Sequence, residues 1–230
     1  MVTHIKTKVE IDKAFIDYNK AIELNQNYAG AHNNRGLVYA NKGNIDKAID
    51  DWTKAIELDP KYAEAYNNRG NAYKDKNEMD KALIDYNKAI ELDPKFAGAY
   101  NNRGLVYANK GDLDKAIDDW TKAIELDPKY APTYANRGIA YGQSKEYDKA
   151  IIDLDKAVEL DPKFATAYCN RGLAYYNKGE LDKAIADWTK AIELSTNYAQ
   201  AYCNRGFAYA QRGDFKVAIA DGEKFLELAP

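Results

Sequence analysis

Histidine, cysteine and long apolar runs are nearly absent from this chain of 230 residues. Its two histidines, His4 and His32, are too few and too scattered for a metal site or for base catalysis. Its two cysteines, Cys169 and Cys203, are too few for a disulfide framework, and a chain of this length builds a core without staples. No stretch approaches the ~18–20 consecutive apolar residues of a membrane span. Residues 1–8 lack the apolar run of a signal peptide, so a cytoplasmic location is expected. No glycine-rich phosphate loop and no nucleophile motif occurs. The charges nearly cancel, at −3 net, and no basic stripe is present to neutralise phosphates. These absences point away from an enzyme, from any cofactor or metal, and from nucleic acid or membrane as partner.

What is present is a period. Ala31-His32-Asn33-Asn34-Arg35-Gly36 returns every 34 residues, as Ala65-Tyr66-Asn67-Asn68-Arg69-Gly70, Ala99-Tyr100-Asn101-Asn102-Arg103-Gly104, Thr133-Tyr134-Ala135-Asn136-Arg137-Gly138, Ala167-Tyr168-Cys169-Asn170-Arg171-Gly172 and Ala201-Tyr202-Cys203-Asn204-Arg205-Gly206. A fixed period of this size marks a solenoid whose units bury their apolar faces against neighbours. We divide the chain into a frayed start and a half-repeat helix (1–28), then an array of units 29–62, 63–96, 97–130, 131–164, 165–198 and 199–230.

Each unit carries two helical patterns and no strand signal. In the first unit the spacing predicts helices over about 30–42 and 46–58. Gly43, with Gly111, Gly179, Gly213 and Asn77 in the same place, ends the first helix where positive φ is needed. Lys145 stands there in the fourth unit, which predicts strain or a changed turn. Asn44, Asp112 and Asp214 are expected to cap the second helix. Asp59-Pro60 and its sisters stop it, whereas Ser195-Thr196 lacks the proline and predicts a softer junction.

Glycine inside a helix costs up to about 1 kcal/mol against alanine. Its return at Gly36, Gly70, Gly104, Gly138, Gly172 and Gly206 predicts close helix–helix approach, with Trp52 as a large contact on the partner helix. Trp120 and Trp188 repeat Trp52 in alternate units, with Tyr86 and Leu154 between. In the last unit Gly222 takes the tryptophan position and Phe225 that of Ala55, which predicts a repacked end.

Tyr66, Gly70, Tyr73, Ala82, Tyr86, Ala89 and Pro94 resemble the tetratricopeptide repeat (TPR) pattern, and the likeness covers nearly the whole chain. The resemblance implies an all-α, right-handed superhelical solenoid of stacked antiparallel helix pairs, with first helices lining a concave face. One departure stands out. The family usually has leucine just before the in-helix glycine, where this chain has Arg35, Arg69, Arg103, Arg137, Arg171 and Arg205. A charge in so buried a place requires a partner. The candidates are Asp17, Asp51, Asp85, Asp119, Asp153, Asp187 and Asp221, one on every second helix. Because the half-repeat keeps Asp17 without an arginine, the expected pairing crosses the unit boundary, Asp17 with Arg35 and Asp51 with Arg69, leaving Asp221 over.

The resemblance also places Asn34, Asn68, Asn102, Asn136, Asn170 and Asn204 in a column on the groove, beside Asn33, Asn67 and Asn101, and with Leu37, Leu105, Leu173 and Phe207 as apolar contacts. A carboxamide both donates and accepts, so such a column suits an extended peptide's main chain. It resembles the asparagine ladder of some solenoid grooves. The same asparagines equally suit bonds between neighbouring helices. Asn33 and Leu37 stand where the family's carboxylate clamp has lysine and asparagine, which argues against clamp-type recognition. The expectation is therefore a protein-interaction module for an extended segment of a partner, with self-association through the solenoid ends as the alternative and RNA disfavoured by charge.

Overall fold

The structure is a computed structural model in which residues 8–228 are described. The expected frayed start, His4 and Pro230 lie outside the described residues. Two compact units divide the chain, residues 1–110 and 111–230. In the first lie α1 (Lys8–Leu24), α2 (Ala29–Asn41), α3 (Ile45–Leu58), α4 (Ala63–Asp75), α5 (Met79–Leu92) and α6 (Ala97–Asn109). In the second lie α7 (Leu113–Leu126), α8 (Ala131–Gln143), α9 (Tyr147–Leu160), α10 (Ala165–Asn177), α11 (Leu181–Leu194), α12 (Ala199–Arg212) and α13 (Phe215–Leu228). All thirteen described elements are helices, and the described residues contain no strand.

Within each unit the helices pack as pairs, α2 on α3 and α4 on α5 in the first, α8 on α9, α10 on α11 and α12 on α13 in the second. The second helix of a pair then meets the first helix of the next, as α3 does α4 and α9 does α10. Small residues set the distance between partners. A Cβ on Gly36 would stand 2.7 Å from Trp52 Nε1, one on Gly70 would stand 2.8 Å from Tyr86, and one on Gly172 would stand 2.8 Å from Trp188 Nε1. The indole donates to the opposite helix, Trp52 to the Asn33 carbonyl at 3.1 Å and Trp188 to that of Cys169 at 3.0 Å. Glycine is therefore the condition for an aromatic lying flat against its partner helix.

The turns follow the sequence with two corrections. Gly43, Gly111, Gly179 and Gly213 hold φ between +76° and +92°, and Asn77 takes +62°. Lys145 also takes +62°, so the turn is kept and the lysine carries the strain. Asn44 makes no side-chain cap, whereas Asp112 accepts from the Lys115 N–H; Asp214 instead accepts from Arg212 Nε. The Asp59, Asp93, Asp127 and Asp161 carboxylates each accept the N–H two residues on, closing the turn over the proline. Ser195 keeps the same extended backbone, with its hydroxyl 2.8 Å from Asn197 Oδ1.

The expected exchange of sizes in the last pair does not restore the packing. A Cβ on Gly222 would meet nothing within 4 Å, and Phe225 is only half-buried. The missing indole leaves a hollow of about 480 Å³ between α12 and α13, lined by Gly206, Phe207, Gly222, Phe225 and Leu226.

Candidate functional site

The arginine before each in-helix glycine lies half-buried beneath the tyrosines of its own helix. Its guanidinium stacks 5.7 and 5.9 Å from the Tyr66 and Tyr73 rings at Arg69, and 5.7 and 5.8 Å from Tyr202 and Tyr209 at Arg205. Nε and Nη2 fork onto a buried carboxylate. Arg35 meets Asp51 at 2.7 and 2.7 Å, Arg69 meets Asp85 at 2.8 and 2.8 Å, and Arg137 meets Asp153 at 2.7 and 2.8 Å. Arg171 with Asp187 and Arg205 with Asp221 repeat the geometry. These carboxylate bonds hold the Arg35, Arg137 and Arg205 guanidinium groups above their ordinary range.

The pairing is thus within the helix pair and not across its boundary, which corrects the sequence expectation. Asp17 is exposed and makes no ion pair among the described residues, while Asp221 is buried and paired. The boundary is crossed by the third donor. Nη1 reaches a residue two positions past the acidic one on the preceding helix: Asn19 at 2.8 Å from Arg35, Thr53 at 3.1 Å from Arg69, Asn87 at 2.7 Å from Arg103 and Thr121 at 3.0 Å from Arg137. At Arg171 this partner is a second carboxylate, Asp155, at 2.6 Å. Arg35, Arg69, Arg137, Arg171 and Arg205 therefore each lock their own pair with two bonds and the preceding pair with one. His32, in the tyrosine place of the first pair, is buried with Nδ1 3.2 Å from Asp51.

The asparagine column is half in this scaffold. Within residues 1–110 Asn68 Nδ2 donates to Asn33 Oδ1 at 3.0 Å, and Asn102 Nδ2 to Asn67 Oδ1 at 3.0 Å. Asn33 and Asn101 in turn donate to Asn34 and Asn102 at 3.3 Å. Asn33, Asn67 and Asn101 are buried, at 5–8% exposure, and their oxygens or N–H groups serve the stack. Buried and engaged in this way, they are not the open groove contacts that the sequence suggested. Asn34, Asn68, Asn102, Asn136, Asn170 and Asn204 are half-buried. In the second unit the pattern loosens, because Cys169 and Cys203 replace the first asparagine. Asn170 Nδ2 donates to the Thr166 carbonyl of its own helix; Asn204 Oδ1 accepts from Gln200 Nε2 of its own helix at 2.7 Å, and its Nδ2 approaches Cys169 Sγ at 4.0 Å. Beside them Leu173 is 43% and Phe207 66% exposed, while Leu37 and Leu105 are half-buried. Apart from the arginine before each in-helix glycine, the Asp, Glu, Lys and Arg residues of α2, α4, α6, α8, α10 and α12 are Glu64, Lys74, Asp75 and Arg212. Both cysteines are free, and burial pushes the Cys169 thiol up, away from the reactive thiolate.

Sequence reasoning missed one ladder. Lys42 pairs with Asp12 at 2.7 Å, Lys76 with Asp46 at 2.6 Å, Lys110 with Asp80 at 2.6 Å, and Arg212 with Asp182 at 2.9 Å; Lys178 meets Asp148 likewise. The signal was present as a constant separation of 30 residues. Ser144 occupies the cationic place in the fourth unit.

Among the described residues no helix is long and apolar enough to cross a membrane, and no cluster of three or more metal-ligating side chains occurs. No curated protein matches the chain. Among solved structures, the APC/C hetero-tetramer Cut9–Hcn1 superposes with a TM-score of 0.83 at 21% identity, over 96% of this chain and 44% of that one. The chain thus spans less than half the length of that neighbour. YrrB, described as a TPR protein with an unusual peptide-binding site, gives 0.65 at 26% identity over 80% of this chain and 95% of that one. MamA gives 0.64 at 31% identity over 69% and 93%. The family described as TPR repeat matches residues 10–43, 38–77, 70–111, 143–179 and 173–213, and those described as tetratricopeptide repeat match 97–130, 120–152 and 199–230. With helix pairs, in-helix glycines and these matches all falling on one period, the chain belongs to the tetratricopeptide-repeat family.

Proposed function

We propose that this chain is a non-catalytic protein–protein interaction module that holds an extended segment of a partner along the uncharged, asparagine-bearing face of its first-of-pair helices. The observation that carries this reading is that Asn34, Asn68, Asn102, Asn136, Asn170 and Asn204, at one place in each repeat, are all half-buried. A carboxamide has two N–H donors and an oxygen with two lone pairs. The bonds to the stack, one at Asn68 and two at Asn102, leave capacity for a ligand's main chain. Leu37, Leu105, Leu173 and Phe207 add apolar contact. The likeness to YrrB, with its peptide-binding site, supports the same reading.

The units 165–198 and 199–230 give the cleanest test, since Asn170 and Asn204 make no strong bond between helices. A library of unstructured random-sequence peptides is titrated by fluorescence anisotropy against wild type and the Asn170→Ala, Asn204→Ala variant. The variant weakens binding of every hit by about tenfold, or about 1.4 kcal/mol, whatever its sequence. Backbone N-methylation of a hit does the same. Unchanged affinity in both arms defeats the reading.

A second reading, assembly of copies through exposed helix faces, is favoured by α13. Phe215, Ile219 and Leu226 there are each more than 60% exposed, and contiguous exposed apolar surface marks interaction sites. Mass measured against concentration by sedimentation decides it: a monomer at high concentration removes this reading.

A further inference from the structure

The tryptophan that fills the space between helices in alternate units is Leu154 in the fourth, and Gly142, which lines the same space, stands where the fifth has Tyr176. Both exchanges remove bulk from one spot. The result is a hollow of about 180 Å³ bounded by α8, α9 and α10, lined by Gly138, Ile139, Gly142, Tyr147, Leu154 and Leu173. The equivalent space one unit on, bounded by Leu173, Tyr176, Trp188, Asn204 and Phe207, holds about 90 Å³. There the Tyr176 and Trp188 rings occupy it, with centroids 5.8 Å apart. An apolar cavity of about 150 Å³ accepts a benzene ring, so the fourth unit has room for an aromatic group and the fifth does not.

We infer that the hollow over Leu154 and Gly142 is an anchor pocket for one aromatic side chain, of indole size, from the bound segment. Two observations support that occupant. Three sister units carry an indole at the Leu154 position, Trp52, Trp120 and Trp188, so the repeated backbone accommodates one there. Leu173, 43% exposed, lies at the mouth, and Asn170 of the amide column lines the wall. A main chain held by Asn170 would thus carry its side chain past Leu173 and inward. The inference rests on the peptide-groove reading for its biological ligand, but the pocket itself is testable alone.

The probe is indole, followed by backbone amide NMR shifts in the full chain. Wild type gives saturable shifts centred on Gly138, Gly142 and Leu173. Leu154→Trp with Gly142→Tyr copies the fifth unit and weakens indole binding at least about tenfold, with helical circular dichroism unchanged. Leu154→Ala, which enlarges the space, leaves or strengthens binding. Absence of saturable shifts in wild type overturns the pocket without any variant. Shifts kept by a folded double variant also overturn it. A pocket that binds indole while N-methylated peptides bind as well as their parents upholds the pocket and defeats the amide-column reading, so the two failures are distinct.

Discussion

At the scale of the residue, the arginine–aspartate pair is the costliest feature to disturb. Asp153 is buried and accepts both Nε and Nη2 of Arg137. Removing the carboxylate alone leaves a half-buried guanidinium with a single neutral partner, Thr121. Asp153→Ala is expected to cost about 3–5 kcal/mol in urea unfolding, and Arg137→Met with Asp153→Leu much less, because no charge is left orphaned. Equal losses in both would mean that packing, not the charge pair, matters there. Lys145 offers the opposite sign. Its +62° φ belongs to the region where glycine stands in four sister turns, so Lys145→Gly should raise stability by about 1 kcal/mol. An unchanged urea midpoint would show the turn to be unstrained. The existence of the ion pair was legible in the sequence, since a charge in a leucine position demands a partner. Its register was not. The half-repeat suggested that every aspartate needs an arginine, whereas Asp17 sits in solvent and the inter-pair bond falls two residues later, on Asn19.

At the scale of the helix pair, the in-helix glycines divide into two kinds. At Gly172 an added methyl would lie 2.8 Å from Trp188 Nε1, an atom already committed to the Cys169 carbonyl. Gly172→Ala should therefore destabilise by about 1–3 kcal/mol. Gly222 has nothing within 4 Å of a built Cβ, so Gly222→Ala should stabilise by up to about 1 kcal/mol through helix propensity alone. Thermal unfolding of the two variants side by side checks the contrast; shifts of the same sign would contradict it. The helix pairs and the glycine contacts could be read from the period, because the constraint repeats. The hollow beside Leu154 could not. It depends on two positions on different helices becoming small in the same unit, and periodicity marks each only as a variation. The Lys76–Asp46 ladder was hidden for a related reason, since its partners lie 30 residues apart, far outside the three- and four-residue spacings that mark pairs on one helix.

At the scale of the whole molecule, the proposed function spreads one recognition chemistry over repeated units. Affinity built from main-chain bonds along a column depends on how many units engage, and side-chain choice depends on where the column is interrupted. The units differ in this respect: buried asparagines brace the column in the first unit, and cysteines stand in their place in the second. Ligand binding to the folded state raises unfolding stability by mass action, so a saturating peptide should raise the melting temperature of wild type and not of the Asn170→Ala, Asn204→Ala variant. A peptide that stabilises both alike binds elsewhere. Because the face bears so few charges, the affinity should also change little between low and high salt, unlike binding built on ion pairs. The most direct measurement follows the side-chain amide resonances of the asparagines in a peptide titration: the account predicts that the Asn170 and Asn204 carboxamide signals move and saturate with the peptide, and it is contradicted if the peptide binds while those signals stay where they were.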